Sequence, residues 1–342
     1  MANILILGAG TMGTAFSFPC SDNNHSVSIV GTHLENDFID QINTSKKHPA
    51  LGCEIPKNVK FSKFQKFKEE ADKKIDLIVV AVISKGIDWA SDEISKVIKN
   101  NVPILILTKG LSINNNNFEV LAHKMERLLK KNGVKEINIS AAGGPCLAKN
   151  LANKAHTAVV FANKDIKIAE KISKLVSTDY YHVSTSDDVV GVEACAAIKN
   201  IFSMAVGASQ GLCDAKQSKE KNYLNTAAAL MQESIYEMII FVEKLKGKKE
   251  TVIGLAGIGD LYVSADGGRN SKMGEHLGQG MTFKEAKKTK MANITVEGAD
   301  LALEIGAKVK KDFDIKTLPL MISMINTICE EKPLKVDWKN FK

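Results

Sequence analysis

A few side chains in this sequence have types suited to proton transfer and anion binding. Lys199 lies in VEACAAIKNIFSMAVGAS, a segment that reads as a helix apolar on nearly every side. An ammonium buried without a partner is costly to keep charged, so a lysine in such a place is able to exchange a proton near neutral pH. A structural ion pair, with Glu193 or with a carboxylate from another helix, explains the same residue equally well. The glycine-rich run 254–280 carries Asp260, Arg269 and Asn270. Asp260 follows LAGIG and is well placed to pair with a buried lysine. Arg269 follows Gly267 and Gly268. Its planar fork matches a phosphate bidentately, and glycines let backbone close around the oxyanion. The plainer alternative is a flexible surface loop with a solvated arginine.

The first half of the chain offers complementary groups. LILGAGTMGTA presents Gly8, Gly10 and Gly13 as GxGxxG between a predicted strand and a predicted helix. The first glycine permits a tight turn, the second lets backbone approach a pyrophosphate, and the third allows close packing of helix on strand. Phosphate oxygens are favoured at the helix N-terminus that follows. Lys109, in ILILTKGL, ends a strand at the edge where open α/β sheets bind ligands. AAGGPCLA, residues 141–148, brings Gly144 and Cys146 to the same edge and suits the nicotinamide end of a cofactor. The second strand is followed by VGTHLE, with no acid directly after it and no arginine nearby. Thr32 and His33 are the residues expected to face the adenosine ribose. With no charge to favour or repel a 2′-phosphate, NAD and NADP are both expected to serve, within ~100-fold of each other.

These groups need a scaffold, and the apolar patterning supplies one. NILILG, HSVSIVG, IDLIVVAV, VPILILTKG, INISAAGG and HTAVVFA are mostly apolar throughout, as strands buried on both faces are. They alternate with helical segments, which predicts a doubly wound α/β domain with a parallel sheet. After YYHVSTSDD strand signals stop. Helices are expected over 191–212, 223–245, 283–290, 297–308 and 318–331. The expected organisation is an N-terminal Rossmann-type domain, residues 1–187, followed by an all-helical domain, residues 188–342. INNNNFE, residues 113–119, reads as a polar loop or helix entry.

Composition narrows the function. A chain of 342 residues exceeds the usual single core, and 44% apolar with 25% charged residues is ordinary for a globular protein. The net charge of +7 is spread along the sequence and aromatic residues make up 6%, which argues against nucleic acid and fits a small anionic substrate. Cysteines at 20, 53, 146, 195, 213 and 329 form no CxxC pair, and no HxH or HExxH occurs, so neither a zinc site nor a disulfide framework is expected. No basic leader precedes MANILILGAG, and the long apolar helix is interrupted by Glu193, Lys199 and Asn200. A cytoplasmic protein with no integral membrane segment is expected.

The segments GAGTMGTA, HPALGCEIPKNV, LTKGL, GGPCLA, VEACAAIKNIFSMAVGASQGL, GLAGIGDLYVSADGGRN and TVEGA occur in this order across nearly the whole chain. Together they resemble the cytoplasmic NAD(P)-dependent glycerol-3-phosphate dehydrogenases. The resemblance implies that Lys199 is the proton donor and acceptor, Asp260 its carboxylate partner, and Lys109 a second lysine touching cofactor and substrate. It assigns the substrate phosphate to Arg269 and Asn270 with Gly268, and places Gly144 and Cys146 beside the substrate. It adds Thr11, Met12, Ala148, Glu297 and Arg269 itself to the cofactor contacts. Cys146 stands where bacterial members usually carry serine, which weakens a substrate hydrogen bond, and Lys149 and Asn150 replace a stretch that normally carries glutamate.

The expected activity is interconversion of sn-glycerol 3-phosphate and dihydroxyacetone phosphate with NAD or NADP, by an enzyme expected to be a homodimer. A dehydrogenase acting on a β-hydroxy acid or sugar acid is the rival enzyme, but it needs a carboxylate clamp and no GGRN loop. A nucleotide-binding sensor without turnover is the rival outside enzymes, but it has no need of a buried proton donor.

Overall fold

Strand β1, Asn3–Leu7, is apolar from Ile4 onward, and those residues are at most 1% exposed. A strand so buried needs strands on both sides and helices on both faces. It pairs in parallel with β2, Ser26–Val30, and with β4, Leu77–Val80. Beyond β2 lies β3, Val59–Ser62, and beyond β4 lies β5, Pro103–Ile106, both parallel to their neighbours. The computed structural model describes residues 1–98, 101–213 and 223–342. Strands β8, Asn138–Gly143, β9, Thr157–Ala162, and β10, Tyr181–Ser186, complete an eight-stranded sheet of order β10-β9-β8-β5-β4-β1-β2-β3. The strand order reverses at β1, and this switch point is where such sheets bind ligands.

The sheet departs from the expected all-parallel pattern at one junction. β9 runs antiparallel to β8, with Ala141 opposite Ala162, while β10 runs parallel to β9. The apolar runs of β8 and β9 are compatible with either direction, because burial on both faces hides the sense of pairing. β3 was missed in the sequence: its VKFS is short and half polar.

The chain divides into two compact units, one of residues 1–109 and 121–189, the other of 110–120 and 190–342. Residues 110–120 form an antiparallel hairpin of β6, Leu111–Asn114, and β7, Asn117–Val120, in place of the polar loop or helix entry expected for INNNNFE. Its turn is Asn115–Asn116, with φ of 47° and 59°. A two-residue hairpin turn of type I′ needs positive φ at both positions, and asparagine tolerates it. Within the second unit Phe118 packs edge-on to Phe241 at 5.2 Å, and the Lys308 ammonium lies 5.6 Å from its ring centre.

Outside the hairpin, the described part of the second unit is helical. Its longest helix, Val189–Leu212, carries Lys199 and is long and apolar enough by composition to cross a membrane, but 94% of its most apolar window is buried inside the protein. The run 254–280 is helical too: a π-turn at Leu255–Gly259, then helices Asp260–Ala265 and Arg269–Gly278. Gly257, Gly274 and Gly278 serve packing, since a Cβ at each would collide with neighbouring backbone. Side chains at Gly207 or Gly274 would collide with the backbones of Ser271 and Met204 respectively, so the Lys199 helix and the Arg269 helix approach backbone to backbone. Gly267 instead ends the Asp260 helix with φ +73°.

Glu237, on the Leu224–Lys244 helix, is fully buried, and its two oxygens accept the N–H groups of Leu320 (2.5 Å) and Met321 (2.7 Å). They cap the Pro319–Cys329 helix, whose first turn otherwise leaves these donors unmatched. Burial pushes the Glu237 carboxyl up to about 8, against the lowering by those two N–H groups. An unfolded glutamate releases its proton near the ordinary value of 4.5, so between there and about 8 the folded state alone keeps it. Stability should fall as pH rises through that window, by at most ~1.4 kcal/mol per pH unit from this group. Urea titrations at pH 5 and pH 8 check it: Glu237→Gln should remove this part of the slope.

Candidate functional site

In the first unit the glycine loop opens at the end of β1. Gly8 donates to Val30 O at 2.8 Å and has φ +111°, and a Cβ there would lie 2.7 Å from Ala81 O. A Cβ at Gly13 would collide with Gly8 O, whereas at Gly10 nothing lies within 4 Å. The two crowded glycines shape the turn and seat the Thr11–Asp22 helix, and the open one leaves room for a phosphate to reach the backbone. Gly10 is that helix's N-cap, without a side-chain cap, so free N–H groups at Thr11 and Met12 face the same space. These residues fit a dinucleotide pyrophosphate.

Met12 also lines a cavity of this unit together with Phe16, Lys109, Gly144, Cys146 and Tyr181. Lys109, Gly144 and Cys146 are expected on the ligand edge and Met12, through the resemblance, at the cofactor; the structure brings all four to this cavity. Lys109 lies three residues past β5, behind Thr108, whose hydroxyl donates to Val82 O at 2.6 Å and fixes the strand end. Gly144 has φ +110°, and Ala148, two residues after Cys146, begins the short Ala148–Ala152 helix. Thr32 lies past the end of β2 with its N–H given to the Glu35 carboxylate at 2.6 Å. His33 is exposed and packs edge-on to Trp89, ring centres 5.4 Å apart.

In the second unit the Lys199 ammonium meets Asp260 Oδ1 at 2.9 Å and donates to Ser264 Oγ. Both side chains of the ion pair are at least nine-tenths buried, at 8% and 4% exposed. Asp260 opens its helix directly after the π-turn, and Ser264 follows one turn later on the same face. A single short helix thus presents a carboxylate and a hydroxyl to one ammonium. The carboxylate compensates the charge, since an ammonium this buried is tolerated only when paired. Such a lysine has a proton to give in a fixed direction.

The substrate-phosphate residues named from the sequence sit at the first turn of the Arg269–Gly278 helix, with Gly268 as its N-cap. Arg269 is well exposed and forms an ion pair with Glu297, the first residue of the Glu297–Asp312 helix. Asn270 is buried: its Nδ2 donates to Asn200 Oδ1 at 3.0 Å and its Oδ1 accepts Gly298 N at 3.0 Å. Its side chain therefore ties three helices together, a role the sequence reading did not foresee. Ser264 and Asn200 were also missed. Each had a signal, the one by standing four residues from Asp260 and the other by following Lys199.

A mainly parallel sheet with this glycine loop at its switch point, followed by a helical unit holding a buried lysine–aspartate pair, defines a dinucleotide-dependent oxidoreductase. Residues 3–169 match the family model of the NAD-dependent glycerol-3-phosphate dehydrogenase N-terminus, and residues 188–337 that of the C-terminus. The chain belongs to this family. It is 30% identical over 316 residues to the NADP(+)-dependent glycerol-3-phosphate dehydrogenase of Archaeoglobus fulgidus, covering 90% of this chain and 91% of that one. To the glycerol-3-phosphate dehydrogenase [NAD(P)+] of Agathobacter rectalis it is 30% identical over 345 residues, 98% and 94% of the two chains. The crystal structure of glycerol-3-phosphate dehydrogenase from Coxiella burnetii superposes with a TM-score of 0.80 at 25% identity, over 97% of this chain and 96% of that one.

Proposed function

We propose that the chain interconverts sn-glycerol 3-phosphate and dihydroxyacetone phosphate by hydride transfer with NAD or NADP, and that it supplies glycerol 3-phosphate for phospholipid synthesis. Family membership supports the reaction, and the observation that carries the chemistry is the buried Lys199–Asp260 pair. The nicotinamide cofactor, when bound, supplies or takes up the hydride at C2. In reduction Lys199 gives its proton to the oxygen developing negative charge on C2, and in oxidation it takes that proton back. Asp260 and Ser264 hold the ammonium in one orientation. Lys109 is assigned the part of a second lysine that touches cofactor and substrate.

The substrate phosphate is assigned to Arg269 and to the N–H groups at the start of its helix, which the N-cap Gly268 leaves without a side-chain cap. Asn270 contributes through its N–H, because its side chain is committed to Asn200 and Gly298. The exposed pair with Glu297 is weak enough to release Arg269 to a phosphate. Gly144 and Cys146 border the substrate; Gly8, Gly10, Thr11, Met12, Gly13, Thr32 and Ala148 hold the cofactor, joined by Glu297. Residues 1–187 serve the cofactor and 188–342 the substrate, in a cytoplasmic homodimer. The test is spectrophotometric: dihydroxyacetone phosphate should oxidise added NADH or NADPH, and no absorbance loss with either would overturn the assignment.

A further inference from the structure

The first strand pair ends in an arrangement that the sequence concealed. Glu35 stands five residues after Val30, the last residue of β2, too far along the chain to be the acid that usually ends this strand. The turn Gly31–Leu34 brings it back. Its Oε2 accepts the N–H of Thr32 at 2.6 Å and that of Ala9 at 3.3 Å, and Ala9 lies between the first two glycines of the loop. Its Oε1 makes no hydrogen bond among the described residues, and the residue is half-buried. Leu34 and Ile83, apolar residues on the turns after β2 and β4, are 82% and 74% exposed. Beneath the loop His48, 2% exposed, accepts the N–H groups of Ala50 and Leu51 on Nδ1, so its neutral ring carries the proton on Nε2. That atom has no hydrogen-bond partner among the described residues.

From this geometry we infer that Glu35 is the hook for the ribose of the cofactor's adenosine and selects NAD over NADP. A carboxylate fixed on the Ala9 N–H lies where the adenosine ribose of a doubly wound fold passes, with Oε1 left to accept a 2′-hydroxyl proton. A 2′-phosphate has no such proton to give and brings like charge against the carboxylate, which is an element of discrimination and not merely a lost bond. The inference rests on the proposed dehydrogenase activity for its cofactor, and it gives a direction to the expectation that NAD and NADP both serve within ~100-fold of each other.

Calorimetric titration of the whole protein with NADH, NADPH, 5′-AMP and 2′,5′-ADP tests it without substrate, so its outcome is independent of whether dihydroxyacetone phosphate is reduced. The unmodified protein should bind NADH more than ~30-fold tighter than NADPH, with the same sign for the two adenosine fragments, which differ only in the 2′-phosphate. Glu35→Gln keeps the acceptor for Ala9 and Thr32 while removing the charge, and Glu35→Ser removes both. Each should cut the NADPH-to-NADH ratio of Kd values by ~10-fold or more, with thermal melts confirming the fold. A ratio below ~30 in the unmodified protein, or an unchanged ratio in either folded variant, overturns the assignment.

Discussion

Lys199→Met should lower kcat for dihydroxyacetone phosphate reduction by at least ~10²-fold while the Kd for NADH changes less than ~3-fold. Methionine has a similar length and suits the apolar helix, so the substitution removes the proton and the charge with little change in volume. It also leaves the Asp260 carboxylate, 4% exposed, without its ammonium. Breaking a buried pair from one side typically destabilises by ~3–5 kcal/mol, so a loss of activity alone would not separate catalysis from folding. Lys199→Met combined with Asp260→Asn separates them. The second change removes the stranded charge and should restore most of the lost stability in a denaturant titration, but turnover should stay low. Recovery of turnover along with stability would show that Lys199 is a structural half of an ion pair and that the proton comes from elsewhere.

Much of this arrangement was legible because its physics is local. The glycines at 8, 10 and 13 are dictated by backbone crowding within a few residues, and the strands of the first unit by their unbroken apolar character. Lys199 stood out because an ammonium in an apolar helix demands an explanation, and Asp260 supplied it. What escaped depends on distant partners. The glycines of 254–280 look like a flexible loop in the sequence, yet those at 274 and 278 face the backbone of the Lys199 helix some seventy residues earlier, and no local pattern announces that approach. Asn270 reads as a free amide until Asn200 and Gly298 are seen against it. Glu35 was passed over because spacing along the chain is a poor guide where a turn doubles back. The hairpin at 111–120 was missed for the opposite reason: its run of asparagines carries the turn signal, but the flanking strands are too short and polar to be read as strands.

Arg269→Lys should lose on the order of 2–4 kcal/mol in kcat/KM for dihydroxyacetone phosphate, although it keeps the positive charge. A guanidinium offers two parallel N–H groups to a phosphate, and an ammonium replaces them with a point charge on a flexible stem. Folding should be almost untouched, because Arg269 is exposed and its partner Glu297 lies at the surface, where an ion pair contributes little. Thermal melts of the two proteins should therefore nearly coincide, and the loss in rate is then a loss at the site. Dihydroxyacetone, which lacks the phosphate, supplies the control. It should already be a poor substrate for the unmodified enzyme, since binding energy from the phosphate is no longer available to position the carbonyl. The substitution should harm it much less, apart from any shared loss through a cofactor contact of Arg269. The difference between the two substrates isolates the phosphate term. Equal losses for both would assign Arg269 to the cofactor, and the phosphate would then be held by the helix N-terminus and some other cation.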